Sequence, residues 1–94
     1  VCGFVKDKSL DHVLCQLPNH AVYYFVHAQI PRAKPAKELQ SEAADYHLLG
    51  KAYHTVRTGL AAAMRKAGSE DLVLVTGSIF VVAEALELNR GRKK

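Results

Sequence analysis

The chain contains no apolar run near the roughly 18 to 20 residues needed to cross a bilayer, which excludes a membrane-embedded protein. It has no cationic start followed by a long apolar stretch, so no secretory signal is visible. Its two cysteines, Cys2 and Cys15, are too few for a disulfide framework and lack C-x-x-C spacing. A reducing, cytoplasmic setting is the expectation. Unbalanced charge is missing as well. The formal net charge is +4, but Arg90, Arg92, Lys93 and Lys94 all lie in the last five positions. Without those four, nine basic residues face nine acidic ones, so the body of the chain gives no reason to expect a nucleic-acid partner. Neither Gly-x-x-x-x-Gly-Lys-Ser/Thr nor Gly-x-Gly-x-x-Gly occurs, and the chain cannot by itself cradle ATP in the usual way. The five histidines (His12, His20, His27, His47, His54) are dispersed. His12 and Cys15 share a helical face, but no second pair completes a zinc site, and no metal is expected.

What is present is ordinary globular composition, 49% hydrophobic and 23% charged over 94 residues, enough for one domain with one core. Residues 1–5 form a short β-type run that starts at the first position, which suggests a piece of a longer protein. Ser9 can cap a helix whose apolar face is Leu10, Val13, Leu14 and Leu17, stopped by Pro18. Residues 21–26 are continuously apolar or aromatic, as in a strand covered on both faces. That argues against Tyr23, Tyr24 and Phe25 as an exposed base-stacking platform. Residues 27–34 form a loop, and Pro35 opens a helix with Ala36, Leu39, Ala43 and Tyr46 inward, reaching about His47 and stopped by Gly50. A short strand over 51–53 follows. Thr55 then caps a helix over Val56, Leu60, Ala63, Met64 and Ala67, which Gly59 weakens by about 1 kcal/mol. Residues 72–75 are the most strand-like run, broken by Thr76-Gly77-Ser78 before a closing helix over 79–88 and a polar, solubilising tail over 89–94. This βαβαβαβα alternation predicts a three-layer, Rossmann-like α/β domain with a mostly parallel sheet.

Ligands of open α/β sheets gather at the carboxyl ends of the strands. Three segments qualify. At Thr76-Gly77-Ser78 a strand hands over to a helix, so backbone N–H groups and the positive end of the helix dipole converge where a carboxylate or phosphate could bind. Alternatively, Ser78 is only the helix cap. Lys6-Asp7-Lys8 places two ammonium groups around a carboxylate, or is a solvated turn. Arg32 can hold an anion with its planar fork, or be a surface side chain. Gly77-Ser78-Ile79-Phe80 lacks the sharp Gly-x-Ser-x-Gly turn of a nucleophilic serine, so no catalytic residue is assigned.

The ordered segments Gly3-Phe4-Val5-Lys6-Asp7-Lys8, Leu14 to Pro18, Tyr23-Tyr24-Phe25, Ile30-Pro31-Arg32-Ala33, Glu38-Leu39, Gly50-Lys51-Ala52-Tyr53 and Asp71-Leu72-Val73-Leu74-Val75-Thr76-Gly77-Ser78, with Phe80, Val82 and Glu84, resemble the C-terminal domain of folylpolyglutamate synthase. That enzyme is often bifunctional with dihydrofolate synthase and belongs to the Mur ligase superfamily. The resemblance covers residues 1–88. It implies an ATP-dependent, ADP-forming carbon–nitrogen ligase of folate biosynthesis and one-carbon metabolism. A folate or dihydropteroate carboxylate is activated as an acyl phosphate, and the amino group of L-glutamate attacks it. ATP and Mg are bound mainly by an N-terminal domain not contained in these residues, over which the C-terminal domain closes. The family's Asp-Gly-Ala-His-Asn-type strand has no counterpart here, so the first strand and helix of the domain are expected to be missing and the chain to be inactive alone, without cofactor. By residue, the resemblance places Ser78 and Gly77 near the incoming glutamate, and Arg32, Lys6, Asp7 and Lys8 near the inter-domain cleft. The alternative that does not use the resemblance is a free-standing α/β module that binds a small anion or nucleotide without catalysis.

Overall fold

A computed structural model describes residues 1–6 and 10–91. The elements run β1 (Cys2–Gly3), α1 (Asp11–Leu14), β2 (Tyr23–Phe25), α2 (Ala36–Ala44), β3 (Gly50–Ala52), α3 (Val56–Lys66), β4 (Thr76–Gly77) and α4 (Ile79–Gly91). All four strands pair in parallel, in the order β3-β2-β1-β4. The chain is therefore α/β, with an all-parallel sheet compatible with a Rossmann-like fold.

β2 explains the layering. Tyr23 and Phe25 point to one face, where Leu10, Leu14, Ala36, Leu39, Ala43 and Leu48 complete a core with α1 and α2. Val26 and the half-buried Tyr24 point to the other, where Val56, Ala63, Val81 and Ala85 bring in α3 and α4. A strand buried on both faces must read as continuously apolar, as this one does. The regular strand is shorter than the run over 21–26, because Ala21 and Val22 lie outside the sheet and Val22 is 73% exposed.

Three expectations about helices are corrected. α1 is a single α-turn followed by tighter turns, with Gln16 and Leu17 N–H groups bonding to Val13 and Leu14 carbonyls before Pro18, and Val13 is exposed. The cap assigned to Ser9 falls outside the described residues. α2 ends before Gly50, and His47 ends it. Its φ of 63° is left-handed, and the His47 and Leu48 N–H groups return to the Ala44 and Ala43 carbonyls in the pattern that usually uses glycine. α4 continues to Gly91, three residues beyond the expected end, and Arg92, Lys93 and Lys94 lie outside the described residues. The Thr55 cap is present, its Oγ1 accepting from the Thr58 N–H at 3.0 Å.

The strand expected over 72–75 is corrected to Thr76–Gly77. Register is the cause. Cys2 pairs with Thr76 and Gly3 with Gly77, and the Val1 amine donates to the Leu74 carbonyl at 3.0 Å, so pairing with β1 falls at the end of the apolar run and past it. Leu72 and Leu74 are 87% and 64% exposed, while Val73 and Val75 still pack toward α3 and α4.

Candidate functional site

β2 and β3 lie on one side of β1, and β4 lies on the other. The strand order reverses between β1 and β4, and the crevice outside their carboxyl ends is where such sheets bind ligands. The sequence delivers Phe4-Val5-Lys6 from β1 and Gly77-Ser78 from β4 to that crevice. The loop after β2 then folds back along the extension of β1. Lys6 N–H donates to the Arg32 carbonyl at 2.7 Å, Lys34 N–H donates to the Phe4 carbonyl at 2.8 Å, and Val5 and Ala33 form an antiparallel bridge. Lys6 and Arg32, 26 positions apart in the chain, are backbone partners at one rim, and both are exposed. Asp7 and Lys8 lie outside the described residues.

Ser78 is on the same rim and half-buried. Its N–H donates to the Gly3 carbonyl at 2.8 Å, which locks the start of α4 onto β1. Its Oγ accepts from the Val81 N–H at 3.3 Å, the geometry of a helix cap. Gly77 holds φ 116°, and a Cβ there would collide with the Gly3 carbonyl oxygen. The corner is thus both structural and receptive. The Ser78 amide and one oxygen lone pair are committed, and the first amides of a helix such as α4 have no partner within the helix and can meet an anion.

A second group on this rim is invisible in the linear sequence. His27 and His54 stand just beyond the ends of β2 and β3, and parallel neighbours bring those ends together. The two rings meet edge to face with centroids 6.0 Å apart. His27 Nδ1 accepts the Ala36 N–H at 3.0 Å and so caps α2, where Pro35 offers no side-chain acceptor. Glu84 of α4 accepts the Gln29 N–H at 2.8 Å, and Gln29 Nε2 donates to the His54 carbonyl at 3.0 Å. Burial and the neighbouring His54 hold the His27 pKa below its ordinary value, opposed by Glu84. The signal that could have found the pair is positional: each histidine lies two residues past the last strand residue, one position off the ends expected for strands over 21–26 and 51–53.

All three longer helices that start at this rim carry a side-chain acceptor, His27 for α2, Thr55 for α3 and Ser78 for α4. Among the described residues, no group of three or more His, Cys, Asp or Glu side chains is placed to hold a metal ion. His12 and Cys15 are linked only through the His12 carbonyl, which accepts from Cys15 Sγ at 3.5 Å. Behind the Arg32 loop, Lys34 is buried and paired with Glu42 at 2.7 Å.

A cavity of about 430 Å³ opens at the other end of the sheet, lined by Val1, Cys2, Leu17, Tyr23, Leu72 and Leu74 among others. It is mostly apolar, and burial pushes the Cys2 thiol at its floor up to about 11, which leaves the thiol un-ionised and poorly nucleophilic at neutral pH. The cations, the glycine corner and the helix starts all lie at the carboxyl rim, and the candidate site is placed there. Among the described residues no helix is long and apolar enough to cross a membrane. Against models of known families, curated proteins and solved structures, the chain finds no match.

Proposed function

We propose that the chain is the C-terminal domain of an ATP-dependent ligase of the folylpolyglutamate synthase and dihydrofolate synthase type, of the Mur ligase C-terminal class, and that it works in the cytoplasm. One observation carries this reading: Lys6, Arg32 and Ser78, drawn from three distant segments that resemble that family, converge on the rim at the strand-order reversal.

The reaction joins a carboxylate to an amine. ATP phosphorylates the folate or dihydropteroate carboxyl, the L-glutamate nitrogen attacks the acyl carbon, and the amide forms as phosphate leaves and the amine loses a proton. The residues of this rim suit the anionic partners of that reaction. Arg32 offers a planar fork to a carboxylate, Lys6 a mobile positive charge, and the start of α4 amides and a favourable dipole. Charge and access at the rim equip it to close over that domain, and no chemical step is assigned to any side chain.

In the parent enzyme, Ser78→Ala is expected to raise the apparent KM for glutamate, and Arg32→Gln to weaken substrate binding in the same direction. Unchanged kinetics in both variants would remove the assignment. The second reading, a free-standing anion-binding module, is favoured by the presence of both exposed cations and the α4 start within this one chain. Calorimetric titration of the 94-residue chain with ATP, glutamate and a folate separates the two readings. Tight binding to the bare chain supports the module, and its absence supports a site completed by another domain.

A further inference from the structure

We propose that His27 is a pH-operated latch: neutral, its Nδ1 caps α2 and ties together the two ends of the loop between β2 and α2, and protonated, it releases them. This goes beyond the ligase reading and does not depend on it. The geometry fixes the chemistry. The Ala36 N–H is a donor, so His27 Nδ1 must present a lone pair, and the single proton of the neutral ring sits on Nε2. A ring in that state can donate from Nε2 but cannot ligate a metal through it.

Protonation of Nδ1 sets two donors against each other and breaks the bond to Ala36. It also places positive charge at the start of α2, where the helix dipole is positive. The groups around the ring come from three elements. His54, at the start of α3, meets the ring edge to face and adds repulsion when both are charged. Glu84 of α4 favours the cation and is held in place by the Gln29 N–H of the same loop, and Glu38 stands in the first turn of α2. Burial and His54 outweigh the carboxylate, since the pKa is lowered overall.

The loop has no helix or strand of its own. It is fastened by His27 to Ala36 at its ends, by Gln29 to Glu84, and by Arg32 and Lys34 to the extension of β1. Release at His27 frees the end of the loop that joins α2, while the backbone bonds of Arg32 and Lys34 to the extension of β1 remain.

The test is a titration of the ¹⁵N-labelled chain from about pH 8 to about pH 5, following the His27 ring and the Ala36 amide by NMR. Both are expected to move with one midpoint below 6.5. After correction for intrinsic exchange, the Ala36 amide should exchange about tenfold faster at the acid end. His27→Asn places a non-titrating oxygen near the position of Nδ1 and should keep that amide protected throughout. An Ala36 resonance that stays still while His27 protonates, or a His27 midpoint at or above 6.5, overturns the proposal. So does acid loss of protection that is equal in His27→Asn. Should that variant fail to fold, the two midpoints in the unaltered chain decide alone.

Discussion

Ser78 has two duties that a single alanine substitution confuses. Its Oγ caps α4, so Ser78→Ala costs about 1 kcal/mol of stability whatever else it does. Ser78→Asp separates the duties, because aspartate caps as well as serine but carries charge. Denaturation midpoints of Ser78→Asp should stay near those of the unaltered chain while anion or substrate binding falls, and binding that survives would leave Ser78 as a cap only. Gly77 allows no such substitution. An alanine would need φ 116° and would meet the Gly3 carbonyl, so Gly77→Ala is expected to cost about 2 kcal/mol or more, read from urea unfolding. His27 makes stability depend on pH in one direction. The folded chain holds the ring below its ordinary value of 6.5, so acid favours the unfolded chain, which takes up the proton first. The contribution is complete above that value, falls as the pH drops through it, and levels off once the folded ring is protonated as well. His27→Asn should flatten this part of a plot of unfolding midpoint against pH.

At the scale of elements, the sequence was readable where one local rule acted alone. Thr55 caps α3 because a threonine before an apolar-periodic stretch can satisfy the amide three residues on, and β2 is apolar throughout because both its faces are covered. It misled where a distant partner decides. The stop of α2 needed a left-handed residue, and His47 provides it without the usual glycine. The β propensity of Leu72-Val73-Leu74-Val75 does not set the strand, because the register with β1 places the regular pairs at Thr76 and Gly77. His27 and His54 look scattered until parallel pairing aligns the ends of β2 and β3. Gly59 shows two such effects in opposition. As a helix residue it costs about 1 kcal/mol against alanine, but a Cβ there would run into Val26 Cγ1, and Val26 is fully buried. Packing wins, so Gly59→Ala should destabilise despite its better propensity. Combining it with Val26→Ala should cost less than the sum of the two changes, a coupling that thermal unfolding of all four chains would measure.

The sheet as a whole is covered unevenly. α1 and α2 pack over β1, β2 and β3, while β4 ends the sheet with one edge unpaired among the described residues and Leu72 and Leu74 outward. Unpaired backbone groups beside exposed leucines form a template for another strand, and charged residues on such an edge are the usual protection. None stands at 72–76, where the sequence is Leu-Val-Leu-Val-Thr. The same asymmetry exposes the apolar cavity at the amino ends of the strands, whose mouth Leu72 and Leu74 border. Because these two side chains bury little in the fold, replacing them should leave its stability within about 0.5 kcal/mol. The pair Leu72→Lys and Leu74→Lys is therefore expected to raise the monomer fraction of the chain in sedimentation velocity while its unfolding midpoint holds. If the midpoint falls as the monomer fraction rises, the two leucines take part in a core that forms only on association, and the edge of β4 is then a built contact surface.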